Sequence, residues 1–166
     1  YPFVPPVIQR ELAESRDYYQ RKDACLICDM AAKEIAAGVR MIAENDSFAA
    51  YIPFAARYPY ETHIVAKGHR QAFTDFSADE ERLLAEILKQ VLAAFDRLFD
   101  VSFPYIMSIH QRPSDGGWYD YYHFHIEFYP PMRTATKLKY LAGSEIGAGV
   151  FTADTLPEDK AAELQA

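Results

Sequence analysis

The run Tyr121-Tyr122-His123-Phe124-His125-Ile126-Glu127-Phe128-Tyr129 alternates residues suited to an interior with residues that bind protons or metals. Strand side chains point to opposite faces in turn. The run therefore predicts a strand with Tyr122, Phe124, Ile126 and Phe128 on one face and His123, His125 and Glu127 on the other. Neighbours on the second face stand ~6.6 Å apart at ~3.3 Å per residue. A merely solvated face carries Thr, Lys, Glu or Ser, whereas His-x-His-x-Glu between aromatics suits metal ligands or groups gripping a phosphate. The apolar face needs a covering element. From about Ala78 to Phe99, residues such as Leu84, Ile87, Val91 and Phe95 recur at helical spacing, behind a capping box of Ser77 and Glu80.

Other elements follow from turn chemistry and alternation. Val39–Ala43 and Phe48–Pro53 read as strands around the turn Glu44-Asn45-Asp46-Ser47. Glu61–Ala66 is a third strand, ended by Lys67-Gly68-His69, and Tyr105–His110 a fourth. Gln111–Asp120, with Pro113, Gly116 and Gly117, is a loop, and Pro130-Pro131 stops the informative strand. Shorter helices are predicted from Gln9 to Lys22, from Asp29 to Val39 and after Pro157. The fold class is α+β: a mainly antiparallel sheet packed with one long amphipathic helix and shorter helices.

The chain has 166 residues, 50% hydrophobic and 14% aromatic, enough for a real core. Its net charge of −7 argues against non-specific binding to nucleic acid or an anionic membrane. No apolar run reaches the ~18 residues that span a bilayer, so a cytoplasmic protein is expected. The opening Tyr1-Pro2-Phe3-Val4-Pro5-Pro6 lacks an initiator Met and a signal-peptide pattern, and its prolines predict an extended segment. It reads as a position inside a longer gene product, the alternative being a processed or trimmed N-terminus.

Two cysteines in one CxxC, Cys25 and Cys28, do not make a disulfide framework. They fit a zinc knuckle, inert buried thiols, or a redox pair, although the thioredoxin-like βαβ setting of a redox pair is absent. Among the five histidines, His69 and His123 would complete a Cys2His2 shell with them. His110, beside His125 and Glu127, suggests a second, harder site completed by Glu11; oxygen-plus-imidazole ligation suits iron or zinc without deciding between them. The glycine-rich stretch Gly143–Gly149, with Lys137 and Lys139, could let backbone amides approach a phosphate.

Several motifs occur together: Cys25-x-x-Cys28, Glu44-Asn45, Pro53-Phe54-Ala55-Ala56-Arg57-Tyr58-Pro59-Tyr60-Glu61, Phe103-Pro104-Tyr105 running to His110, and His123-Phe124-His125-Ile126-Glu127-Phe128-Tyr129-Pro130-Pro131. In this combination the chain resembles the C-terminal half of galactose-1-phosphate uridylyltransferases, a family of the histidine-triad superfamily. The resemblance implies a histidine-triad-like domain over 25–166, with 1–24 connecting it to an N-terminal half. It implies ping-pong uridylyl transfer between UDP-glucose and galactose 1-phosphate, giving UDP-galactose and glucose 1-phosphate, in a homodimer. The nucleophile belongs to a His-Pro-His-Gly-Gln motif expected upstream of Tyr1, so no catalytic residue is expected in this chain, which would be inactive alone. The resemblance also implies zinc at Cys25, Cys28, His69 and His123, and iron or a second zinc at Glu11, His110 and His125. There Glu127 replaces a histidine of well-known bacterial members. Lys139, Tyr140, Ser144 and Glu145 match a segment that reaches substrate. Two rival readings stay open: a related nucleotide phosphorylase or hydrolase using His125 as nucleophile, and a non-catalytic zinc-stabilised binding module.

Overall fold

In the structure, a computed structural model describing residues 3–166, β5 (His125–Tyr129) lies between β3 (Thr62–Ala66) and β4 (Ile106–His110), antiparallel to both. The hairpin of β1 (Met41–Glu44) and β2 (Phe48–Tyr51) extends the sheet to the order β1-β2-β3-β5-β4. The hairpin turn is held by Asn45 Oδ1, which accepts from the amides of Ser47 and Phe48. Tyr1 and Pro2, part of the extended opening read from the sequence, lie outside the described residues.

The alternation of β5 decides the layers. Phe124, Ile126 and Phe128 join Ile64 and Phe48 in a core covered by Leu84, Ile87, Val91 and Phe95 of α3 (Ala78–Leu98). Ala161 and Leu164 of α5 (Pro157–Gln165) close the same layer. The start of α3 carries the expected box: Ser77 Oγ accepts from the Glu80 amide, and Glu80 Oε2 accepts from the Ser77 amide. The opposite face of the sheet is covered by α1 (Pro6–Lys22) and α2 (Leu26–Ala37), with Ala31 of α2 packed on Ala49, Tyr51 and Val65. Gly38, at φ 71°, ends α2 in the left-handed conformation that glycine adopts without steric cost.

Four expectations are corrected. First, α1 begins at Pro6, because a proline at the first helical position loses no hydrogen bond. Second, α2 begins at Leu26 rather than Asp29, with Cys25 as its N-cap, whose sulfur accepts from the Cys28 amide at 3.5 Å. The cysteines thus do sit at a helix start, between two helices rather than in a βαβ unit. Third, only residues 125–129 of the informative run are strand. Tyr121 and Tyr122 form a turn (the Tyr122 amide donates to Tyr119 O at 2.8 Å) and pack with Leu12 of α1, not beneath α3. Fourth, the glycine-rich stretch is a short helix, α4 (Gly143–Ala148), preceded by an unforeseen two-stranded ribbon of β6 (Met132–Thr134) and β7 (Lys137–Leu138). Among the described residues no helix is long and apolar enough to cross a membrane.

Ile87 is wholly buried at the centre of the interface between α3 and the sheet. Ile87→Ala is expected to cost about 2–5 kcal/mol, read as a lower urea midpoint with an unchanged slope.

Candidate metal centres

Two groups of ligand-type side chains converge on the α1/α2 side of the sheet. In the first, the ligand atoms of Cys25, Cys28, His69 and His123 all lie within 4.8 Å of one another. The first turn of α2 brings both sulfurs to one end of that helix. His69 follows β3, and the segment after it is held when the Phe124 amide donates to Arg70 O at 2.7 Å. Cys28 Sγ lies 3.4 Å from His69 Nδ1 and 3.3 Å from His123 Nδ1. His123 is fully buried, and its Nε2 donates to Ala66 O at 2.9 Å, which leaves the Nδ1 lone pair facing the sulfurs. Hydrogen bonding from Cys28, reinforced by His123 and His69, holds the Cys25 thiol far below its ordinary range against its burial. Sharing that hydrogen bond, together with burial, pushes Cys28 up. The donor chemistry, two sulfurs and two imidazole nitrogens, fits a borderline-soft tetrahedral cation such as zinc.

In the second group, Glu11 of α1, His110 of β4 and His125 of β5 converge equally closely. The strand register sets His110 directly opposite His125, their ring centroids 4.5 Å apart. Glu11 Oε2 lies 2.8 Å from His110 Nδ1 and Oε1 3.3 Å from His125 Nε2. His125 Nδ1 donates to His123 O at 2.9 Å, which turns Nε2 inward. Glu11 Oε1 is buried and makes no hydrogen bond of good geometry; His125 Nε2 approaches it as an ion pair, and the buried Tyr122 hydroxyl interacts with the same carboxylate. The donor chemistry, one carboxylate and two imidazoles shielded together, fits a divalent cation. Glu127 borders this group: Oε2 is 3.6 Å from His110 Nε2, and Oε1 is 3.6 Å from His125 Nε2.

The sequence matches the model of the galactose-1-phosphate uridyl transferase C-terminal domain over residues 11–166. The chain belongs to that family. It is 38% identical to the galactose-1-phosphate uridylyltransferase of Thermotoga maritima over 99% of its own length and 52% of the relative's. A solved uridylyltransferase structure superposes with a TM-score of 0.91 at 40% identity, covering 99% of this chain and 51% of the other. An ADP-glucose phosphorylase from Arabidopsis thaliana superposes with a TM-score of 0.82 at 27% identity, over 99% of this chain and 50% of the other. A zinc-bound histidine triad family protein from Mycobacterium smegmatis shares the fold, at 16% identity and a TM-score of 0.54, over 86% of this chain and 91% of the other. The chain thus spans about half the length of the curated relatives it matches.

Around these centres the uridyl transferase domain places residues that reading the sequence for ligands passed over. His63 of β3 faces the same side as His125, with Nε2 3.0 Å from Glu61 Oε1 and 3.5 Å from Glu127 Oε1. Arg57, in the loop before β3, bridges Glu61, Glu127 and the Tyr129 hydroxyl. The signal for His63 was present, since Glu61-Thr62-His63-Ile64-Val65 alternates as the 121–129 run does. Arg57 carried no periodic signal. Of the expected substrate segment, Lys139 and Glu145 turn inward and pair at 3.0 Å, while Ser144 is exposed and Tyr140 is 85% exposed. The amide of Ala142 and the ammonium of Lys139 hold the Glu145 carboxyl low.

The titration of the second group yields a signed expectation for the cation-free chain. Burial disfavours charge on Glu11 and Glu127, but the surrounding imidazoles outweigh it and hold both carboxyls below their ordinary 4.5, Glu127 far below. Burial likewise opposes charge on His125, and Glu127 and Glu11 outweigh it, raising it above 6.5. The carboxylate contribution is present above pH 4.5 and lost as pH falls; the imidazolium contribution is present below 6.5 and lost as pH rises through the elevated value. In chelator the urea midpoint should therefore peak at mildly acidic pH. With zinc, which requires neutral imidazoles, the peak should move upward. A midpoint in chelator that keeps climbing past neutrality would contradict this.

Proposed function

We propose that the chain is the C-terminal portion of a UDP-glucose–hexose-1-phosphate uridylyltransferase whose nucleophilic histidine lies in an N-terminal half, joined through residues 1–24. The observation that carries this reading is 38% identity, over 99% of this chain, to a relative of which it covers 52%. The free edge of the sheet supports it. β4 has no outer partner among the described residues and leaves Ile106, Met107 and Ile109 at 65%, 46% and 41% exposure. An unpaired apolar edge is a surface that native proteins cover.

In the first step a histidine nitrogen outside this chain attacks the α-phosphorus of UDP-glucose. A nitrogen–phosphorus bond forms, the bond to the departing phosphate oxygen breaks, and glucose 1-phosphate leaves. A phosphate oxygen of galactose 1-phosphate then attacks the uridylyl-histidine and restores the free imidazole as UDP-galactose forms. Within this chain, Cys25, Cys28, His69 and His123 would hold zinc; Glu11, His110 and His125, with Glu127 as the fourth ligand, would hold iron or a second zinc. When bound, these cations supply cross-links between α1, α2 and the sheet. Of the segment with Lys139, Tyr140, Ser144 and Glu145, the exposed Tyr140 and Ser144 would reach substrate in a homodimer, with the buried Lys139–Glu145 pair fixing the segment. His125 acts as a ligand in this reading rather than as a nucleophile: it is 2% exposed, and both ring nitrogens are engaged.

The test uses the full natural polypeptide. Incubation with UDP-glucose alone should release glucose 1-phosphate and leave uridylate on a histidine outside these residues. Galactose 1-phosphate should then discharge it. Uptake of inorganic phosphate as the acceptor, with a nucleotidyl adduct on His125, would overturn the reading in favour of a phosphorylase. Elemental analysis should find zinc, and Cys25→Ser should abolish its binding at the first centre and lower the thermal midpoint by several degrees, as loss of a structural site does.

A further inference from the structure

Glu127 is gripped from two sides: imidazoles of the second centre approach both of its oxygens, and the Arg57 guanidinium approaches one of them. Oε1 faces His125 Nε2 at 3.6 Å and His63 Nε2 at 3.5 Å, toward the second centre. Oε2 lies 3.3 Å from Arg57 Nη2 and 3.6 Å from His110 Nε2, so it is shared between the guanidinium and the centre. A carboxylate oxygen offers two lone pairs, so Oε1 stays available to a cation at the centre while the guanidinium holds Oε2. The guanidinium is itself fixed. Nη2 lies 3.0 Å from Glu61 Oε1 and donates to the Tyr129 hydroxyl at 2.6 Å, and the guanidinium carbon sits 4.6 Å from the Tyr129 ring centroid.

The other end of Arg57 leads elsewhere. Its carbonyl accepts a hydrogen bond from Lys139 Nζ, which also donates to Thr152 O at 2.9 Å and pairs with Glu145 at 3.0 Å. Glu145 in turn accepts from the amides of Ala142 at 2.6 Å and Thr152 at 3.2 Å. The side chains of Lys139 and Glu145 are 5% and 1% exposed, so water does not readily replace these bonds. A polar path thus runs from Glu127 to the folded-back segment 139–152, and it passes through one residue.

The geometry points to Arg57 as a positioning residue that holds Glu127 toward the second metal centre with its guanidinium and ties segment 139–152 to that centre through its carbonyl. This rests on the proposed reading of the second centre, with Glu127 as ligand. A cation at the centre restricts Glu127, Glu127 restricts Arg57, and the Lys139–Glu145 pair passes the restraint to the segment.

The experiment is a titration of the metal-free full natural polypeptide with Co(II). The weak visible bands of the oxygen-and-nitrogen centre are followed apart from the sulfur charge-transfer band of the thiolate centre. Hydrogen exchange of the 139–152 amides is measured with and without metal. In the parent protein, filling the second centre should slow that exchange several-fold. Arg57→Gln and Arg57→Lys should both weaken binding at this centre by about ten- to a hundredfold, because neither offers the planar fork. In both variants, and in Lys139→Met, exchange in the segment should no longer respond to the metal. A purely electrostatic role would instead leave Arg57→Lys unchanged and make Arg57→Gln bind more tightly, since a positive charge has been removed; that pattern overturns the proposal. So does a segment whose response to metal survives in all three variants. If the parent takes up no Co(II) at Glu11, His110 and His125, the metal reading fails with it, whereas uptake without any effect on 139–152 refutes the coupling alone. Should Arg57→Gln not fold, Arg57→Lys, which keeps the charge, decides the question.

Discussion

Three carboxylates, Glu11, Glu61 and Glu127, are shielded on one face of this sheet, Glu61 almost completely. Burying a charge without a partner costs several kcal/mol, so everything around these groups must answer them. His110 and His125 stand against Glu11, His63 against both Glu61 and Glu127, and Arg57 spans the latter pair. Even so, one oxygen of Glu11 makes only the longer ion-pair contact to His125 and no well-formed hydrogen bond. The donors gathered there are of a kind that suits a divalent cation.

This constraint also explains why the two candidate centres are neighbours. His123 precedes β5 and turns toward the thiols, while His125 is the first residue of the strand and turns toward Glu11. The bond from His125 Nδ1 to His123 O orients the second imidazole from the residue that serves the first centre. A short run of chain therefore carries one ligand for each site. The two helices that supply the ligands other than histidine, α1 with Glu11 and α2 with Cys25 and Cys28 at its start, are held to the sheet where the histidines emerge. On the other face, Phe124 just before the strand and Ile126 and Phe128 within it pack in the core beneath α3.

Much of this was legible in order along the chain, and the exceptions share a cause. The strand register that sets His110 against His125 follows from two runs that both read as strands, and the capping box of α3 is local in sequence. Tyr121 and Tyr122 were misplaced because alternation persists in the sequence after the backbone has left the sheet, where the Tyr119–Tyr122 turn redirects the side chains. The 143–149 stretch looked open because of its glycines. It is helical because Glu145 caps the first turn and pairs with Lys139, an interaction between residues whose sequence separation says nothing about burial.

Residue types and periodicity alone determined that an aromatic core would lie beneath one long helix, and that soft and hard ligand sets would be separate, since cysteine, histidine and glutamate carry their coordination chemistry with them. Only the tertiary structure decided that Glu127 faces Arg57 and His63, and that Lys139 reaches back to the Arg57 carbonyl. Those contacts join segments 70 and 82 residues apart. Nothing periodic links such positions; chain packing brings them within a few ångströms, and the cost of buried charge keeps them there.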